Sequence, residues 1–114
     1  VSIMEIGRDD LIQKMIRVIV QTVNPRRIIL FGSRARGNAR TASDVDFLIV
    51  KDKPFLSGKS RREEMTQIWQ SLAPYSVEQD ILLYSQDEID QWSQTKNHVI
   101  ARALKEGIVL YERP

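Results

Sequence analysis

The stretch that decides the fold is FGSRARGNARTASDVDFLIV, which spans residues 31–50. The apolar run that leads into it, residues 28–31, is rich in β-branched side chains and predicts a strand buried on both faces. Residues 37–43 carry Gly, Asn, Thr and Ser and predict a loop. Residues 44–50 then alternate as a second strand. Because the loop is too short for a parallel crossover, we expect the two strands to be antiparallel neighbours.

Two acidic side chains share one face of the second predicted strand. Because side chains alternate along a strand, Asp44 and Asp46 point the same way as Leu48 and Val50, and the apolar residues between them point the other way. Two adjacent carboxylates repel each other unless a cation compensates. Carboxylate oxygens suit a hard cation such as Mg²⁺. We therefore predict that Asp44 and Asp46 are catalytic metal ligands.

The residues that follow the first strand predict an anion site. A turn into a short helix presents free backbone N–H groups, and Gly32 lets a phosphate approach the backbone closely. Ser33 adds a hydroxyl donor, and Arg34 or Arg36 can donate a charge-assisted pair of hydrogen bonds to phosphate oxygens. Which arginine faces inward stays open. We predict that these four residues bind a nucleoside triphosphate.

A third carboxylate is needed if a hydroxyl is to attack phosphorus, because one metal activates the nucleophile while another stabilises the leaving group. Asp80 is our choice, within a third predicted strand over residues 77–84. The apolar residues that follow it imply burial, and a buried acid needs a partner. Glu78 lies two positions earlier on the same face and is the alternative.

The remaining chain predicts four helices and a last strand. Apolar residues at helical spacing over residues 11–23 predict a first helix, which Asn24 and Pro25 end. Capping boxes at Ser60 and Ser85 predict the starts of two more helices. Residues 97–106 predict a fourth helix, with Gly107 as its left-handed cap, and residues 108–111 predict a short strand. The buried stripe of the second helix is predicted as Met65, Ile68, Trp69 and Leu72.

This order predicts one α+β domain over residues 1–114, a small mixed β-sheet packed by helices. The neighbour of the third strand cannot be read from the sequence. We expect Arg61 and Arg62 to lie on a solvated helix face and His98 to be structural or exposed. Tyr84 and Trp92 belong either to the core or to a partner surface.

Composition narrows the function classes. The chain has no cysteine, so disulfides and thiolate metal sites are excluded. The net charge of +2 does not argue for a nucleic-acid binder, which usually concentrates its basic residues on one face. The longest apolar runs are far shorter than the roughly 20 residues that cross a bilayer. We expect a cytoplasmic protein without a membrane span.

Several segments together resemble one known family. They are FGSRARG (31–37), SDVDFLIV (43–50), DILLYS (80–85), DEI (87–89) and ALKEGIVLYE (103–112). They are similar to the minimal nucleotidyltransferases (MNT proteins) of prokaryotes, within the DNA polymerase beta-like nucleotidyltransferase superfamily. One departure is Gln79, which stands where an apolar residue is expected.

The resemblance implies an ATP-dependent transferase with two Mg²⁺ ions, whose metal ligands match Asp44, Asp46 and Asp80 and whose triphosphate lies on Gly32 and Ser33. It also implies a HEPN-domain toxin as partner, with AMP transferred from ATP to a tyrosine of that toxin, so that the protein acts as an antitoxin. The alternative is a catalytically idle module that neutralises a toxin by contact. The sequence leaves open the acceptor, the use of GTP or CTP, and the oligomeric state.

Overall fold

The computed structural model describes residues 6–32, 45–75, 78–95 and 98–113, and the predicted loop over residues 37–43 lies outside these ranges. Four helices and four strands lie within them. In chain order they are α1 (Ile6–Val23), β1 (Arg27–Phe31), β2 (Val45–Lys51), α2 (Gly58–Leu72), β3 (Gln79–Ser85), α3 (Gln86–Trp92), α4 (Val99–Glu106) and β4 (Ile108–Glu112). None of the helices in the described ranges has the length and hydropathy that a membrane crossing requires.

The four strands form one mixed sheet in the order β3-β2-β1-β4. β1 is antiparallel to β2 and to β4, which confirms the predicted pairing of the first two strands. β2 and β3 are parallel, and α2 lies between them in the chain. A parallel pair needs a long connection, and this helix provides it. The α+β fold with a small mixed sheet is therefore confirmed.

Both faces of the sheet are covered, which explains why β1 is apolar without alternation. One face packs against α1 and α2, and the other packs against α3 and α4. The buried residues of the first face are Ile12, Met15, Ile16, Ile19, Val23, Ile28, Leu30, Val45, Phe47, Ile49, Ile68, Leu72 and Leu83. Those of the second face are Ile29, Leu48, Val50, Ile89, Ile100 and Ala103. Full burial of one large aliphatic side chain contributes about 1.5–3 kcal/mol, so these two clusters hold the helices on the sheet.

The helix ends follow local hydrogen bonding. Asn24 has φ 48°, so α1 ends in the left-handed conformation that Asn tolerates, as predicted. The capping box at Ser85 is also confirmed, because Ser85 and Glu88 cap each other at the start of α3. The capping box predicted at Ser60 is wrong. Helix α2 begins at Gly58, because Ser57 offers the same hydroxyl earlier and accepts from the Ser60 N–H at 3.2 Å.

Two further predictions were wrong. Gly107 has φ −82° and ψ 165°, so it is extended rather than left-handed. Glycine fits there because a Cβ would lie 2.5 Å from Ile29 Cγ2, where α4 meets β1. Trp69 is 56% exposed and does not belong to the core. It follows the fully buried Ile68, and consecutive helical residues point about 100° apart.

Arg61 does not lie on a solvated face, contrary to the prediction, although Arg62 is exposed. Its Nη1 donates to the Leu83 carbonyl oxygen at 2.7 Å, and its Nη2 pairs with Glu88 Oε2 at 2.5 Å. The guanidinium also covers the Tyr84 ring, 5.4 Å from its centroid. Arg61 therefore joins α2 to β3 and α3, because five planar donors can serve several partners at once.

Replacement of Glu88 by Gln tests this link through its pH dependence. Burial opposes ionisation of Glu88, but hydrogen bonds from Arg61 and Ser85 outweigh it and lower the pKa of this carboxyl. A lowered pKa contributes stability that is complete above the unfolded-state value and is lost as the pH falls through the folded-state value. We expect Glu88→Gln to lower the free energy of unfolding at pH 7 by about 1–3 kcal/mol, and the deficit to shrink from about pH 5 to pH 3. Chemical denaturation at several pH values measures it.

The control is Glu63→Gln, which alters an exposed glutamate of α2. A deficit for Glu88→Gln that stays constant between neutral and acidic pH would contradict the assigned role of the ionised carboxyl.

Candidate active site

The strand registers place three residues in one row across the sheet. Phe31 of β1 is the partner of Asp46 in β2, and Asp46 is the partner of Asp80 in β3. Register partners on neighbouring strands share a face of the sheet. This is the face of Leu48 and Val50, as the alternation of β2 predicted for Asp46. Two acids that are 34 positions apart in the sequence therefore lie side by side.

Gly32 lies directly against the carboxylate of Asp46. It has φ 74°, a left-handed conformation that glycine adopts at little cost. A Cβ at Gly32 would overlap Asp46 Oδ2 and would lie 3.0 Å from Asp46 Cγ. The backbone that follows β1 therefore packs directly on the Asp46 carboxylate, and no space is left between them for a side chain.

Asp80 lies at the rim of the sheet and is exposed, contrary to the burial that we predicted for it. The reason is that β3 is an edge strand and Asp80 is its second residue, whereas the buried Leu83 lies three residues further along, on the opposite face of the sheet. Because water solvates the exposed carboxylate, Asp80 does not need a buried partner. Exposure also leaves the carboxylate open to a solute. Glu78, the alternative, is exposed too and precedes β3; its carbonyl oxygen accepts from the Val45 N–H at 2.9 Å.

Four of the predicted site residues, Ser33, Arg34, Arg36 and Asp44, lie outside the described residues, so their roles stay predictions. In the ranges that the structure describes, no three His, Asp or Glu side chains come close enough together to hold a metal ion. The described part of the site thus consists of Gly32, Asp46 and Asp80.

These residues suit a divalent metal and a phosphate. Neighbouring strands lie about 4.8 Å apart, so Asp46 and Asp80 stand next to each other on one face of the sheet. Their oxygen donors are those that Mg²⁺ favours. Gly32 begins the segment predicted to bind phosphate, and its contact with Asp46 places that segment next to the carboxylate.

A pocket that the sequence analysis did not identify opens beside Gly32. Its volume is about 190 Å³, and it is lined by Phe31, Gly32, Val99, Arg102, Ala103 and Glu106. The signal in the sequence was the spacing of Arg102 and Glu106, which places two opposite charges four residues apart on one helix face.

His98 is structural: its Nδ1 accepts from the Ile100 N–H at 3.1 Å, and its ring stacks on Trp92.

Replacement of Gly32 by Ala tests the contact with Asp46. We expect a loss of about 1–3 kcal/mol in the free energy of unfolding, because a Cβ is strained at this φ and overlaps the carboxylate. Gly58→Ala is the matched control, since a Cβ there meets nothing within 4 Å. It lies in the first turn of α2, where alanine should stabilise by up to about 1 kcal/mol. Equal stability of the two variants in chemical denaturation would refute the contact.

Solved structures with a similar fold include one candidate nucleotidyltransferase and two toxin-antitoxin structures. A Sulfolobus solfataricus protein, described as a candidate nucleotidyltransferase, aligns with a TM-score of 0.62 and 18% identity, over 91% of this chain and 79% of its own. A toxin-antitoxin with AMP-PNP aligns with a TM-score of 0.53 and 18% identity, over 88% and 73%. A mutant of the toxin-antitoxin MntA-HpeT aligns with a TM-score of 0.54 and 16% identity, over 89% and 72%.

The family assignment rests on a sequence match. Comparison with curated proteins gives no match. The family model "Polymerase beta, Nucleotidyltransferase" matches residues 13–114, which include both strands of the Gly32–Asp46 contact, the strand of Asp80 and the helices that cover them. This chain therefore belongs to the polymerase beta nucleotidyltransferase family.

Proposed function

We propose that this protein transfers AMP from ATP to a hydroxyl group, and that the acceptor is a tyrosine of a HEPN-domain toxin for which the protein is the antitoxin. The observation that carries the proposal is the row of Asp46 and Asp80 next to the left-handed Gly32. It brings two carboxylates together beside the glycine that begins the predicted phosphate-binding segment, and a metal-bound triphosphate needs both features.

In the proposed reaction the acceptor oxygen forms a bond to the α-phosphorus of ATP. The bond between the α-phosphorus and the oxygen that bridges it to the β-phosphate breaks, and pyrophosphate leaves. Asp44, Asp46 and Asp80 would hold two Mg²⁺ ions, which supply positive charge for the phosphates and make the hydroxyl more acidic. Gly32 and Ser33 hold the triphosphate, with Arg34 or Arg36 donating to its oxygens. Asp80 orients the incoming hydroxyl and takes its proton.

The exposure of Asp80 fits an acceptor that belongs to another macromolecule. This carboxylate lies on an edge strand, where a tyrosine of a second protein can reach it without an opening of the fold. The structures with a similar fold support a toxin partner, since two of them are toxin-antitoxin complexes and one of these contains AMP-PNP. The MntA-HpeT mutant carries Asp-to-Glu substitutions at two positions two residues apart, the spacing of Asp44 and Asp46 here.

Asp46→Asn tests catalysis. It keeps the size of the side chain but removes the charge that a divalent ion requires, so we expect transfer of label from α-labelled ATP to a co-expressed toxin to fall by at least about 100-fold. Asp10→Asn is the matched control, because Asp10 is exposed and pairs only on the surface with Lys14. Circular dichroism checks that both variants fold. Undiminished transfer by Asp46→Asn would end the proposal.

A second candidate function is neutralisation of a toxin by contact alone. It is favoured by β4, a sheet edge on which the neighbouring apolar residues Ile108 and Val109 are 46% and 49% exposed. An edge of this kind can pair with a strand or pack on a partner.

Growth of cells that express the toxin separates the two functions. If transfer is the neutralising event, the Asp46→Asn variant should fail to restore growth while the Asp10→Asn variant restores it fully, because only the first loses a metal ligand. Co-purification of the toxin with both variants shows that contact is preserved. Full rescue by Asp46→Asn would favour contact and make transfer dispensable.

A further inference from the structure

We infer that the pocket beside Gly32, here called the α4 pocket, receives the base of the nucleotide, and that Arg102 recognises that base as a purine. The α4 pocket is the one lined by Phe31, Gly32, Val99, Arg102, Ala103 and Glu106. The inference rests on the proposed function, because it takes the phosphates of ATP to lie at Gly32.

The location of the α4 pocket suits the far end of a bound nucleotide. Its wall residue Phe31 is the register partner of Asp46, and Gly32 contacts the Asp46 carboxylate. The pocket then extends along α4. Ile100 and Ala103 of this helix pack on the sheet face that carries Asp46. Val99 and Glu106 are seven positions apart, which is about 10 Å along a helix. A nucleoside that extends from phosphates at Gly32 therefore reaches along this wall.

The size of the α4 pocket fits one ring system. Pockets that enclose a whole small molecule have volumes of about 300–1,000 Å³, whereas this one has about 190 Å³. It is too small for a complete nucleotide. A base fits inside while the sugar and the phosphates stay at the mouth, on the side of Gly32.

The chemistry of the walls favours a base over a phosphate. Phe31, Val99 and Ala103 are apolar and suit the flat faces of an aromatic ring. Arg102 and Glu106 add donors and an acceptor at the rim, which match the mixed donor and acceptor groups of a base edge. Arg102 and Glu106 carry opposite charges, so the wall offers a phosphate no net positive charge.

Arg102 is the residue best placed to read the base. It is exposed, and its guanidinium makes no ion pair with any part of the chain that the structure describes. Glu106 already has an interaction of its own. Arginine donates readily to the N7 acceptor that purines carry and pyrimidines lack. Arg102 should therefore favour ATP and GTP over CTP and UTP.

The test measures binding of ATP, CTP and inorganic triphosphate in the presence of Mg²⁺ by isothermal titration calorimetry. We expect Arg102→Gln to weaken ATP binding about tenfold while CTP binding changes by less than about threefold, because only a purine loses its hydrogen bond. Binding of inorganic triphosphate should stay unchanged. Lys105→Gln is the matched control, since it removes the same charge from an exposed position of α4 outside the pocket.

A second variant, Val99→Phe, fills the pocket and keeps both charges. It should weaken ATP binding without affecting inorganic triphosphate. Equal weakening of ATP and inorganic triphosphate by Arg102→Gln would place Arg102 on the phosphates and overturn the inference, as would an unchanged preference for ATP over CTP. If the unaltered protein binds neither ATP nor inorganic triphosphate, the proposed function itself fails, and the inference fails with it.

Discussion

The antiparallel pairing of β1 with β2 is the constraint on which the rest of the site depends. It sets the register that makes Phe31 the partner of Asp46, and the next residue, Gly32, then turns against the Asp46 carboxylate. A shift of this register by one residue would send Asp46 to the opposite face, because side chains alternate along a strand. The site is thus a consequence of one pairing and one left-handed residue.

The two apolar clusters hold that register. Alternate residues of β2 enter different clusters: Phe47 and Ile49 pack under α1 and α2, while Leu48 and Val50 pack under α3 and α4. If β2 shifted by one residue, the side chains that it contributes to the two clusters would change places. The Asp46 carboxylate would then lie in the apolar layer under α1 and α2. Burial of a charged group in an apolar layer is costly. The same burial that stabilises the sheet therefore keeps Asp46 on the face of Leu48 and Val50.

The parallel pairing of β3 with β2 completes the row, and Arg61 helps to hold it. From α2, the connection between these strands, Arg61 reaches the Leu83 carbonyl oxygen and the Glu88 carboxylate. One side chain thereby ties the crossover helix to the strand of Asp80 and to α3. The surface that results has an exposed acid at one side of Asp46 and the α4 pocket at the other. Under the proposed function, the acceptor and the nucleotide approach from these two different sides.

The sequence by itself determined the strand pair, the shared face of Asp46 with Leu48 and Val50, the cap of α3 and the family, because alternation, turn residues and capping hydrogen bonds are local. It could not determine the neighbour of β3, the exposure of Asp80 and Trp69, the links made by Arg61 or the wall formed by Arg102. Those features depend on which strand lies at an edge and which helix face meets the sheet. They arise from contacts between residues far apart in the chain, and only the tertiary structure decided them.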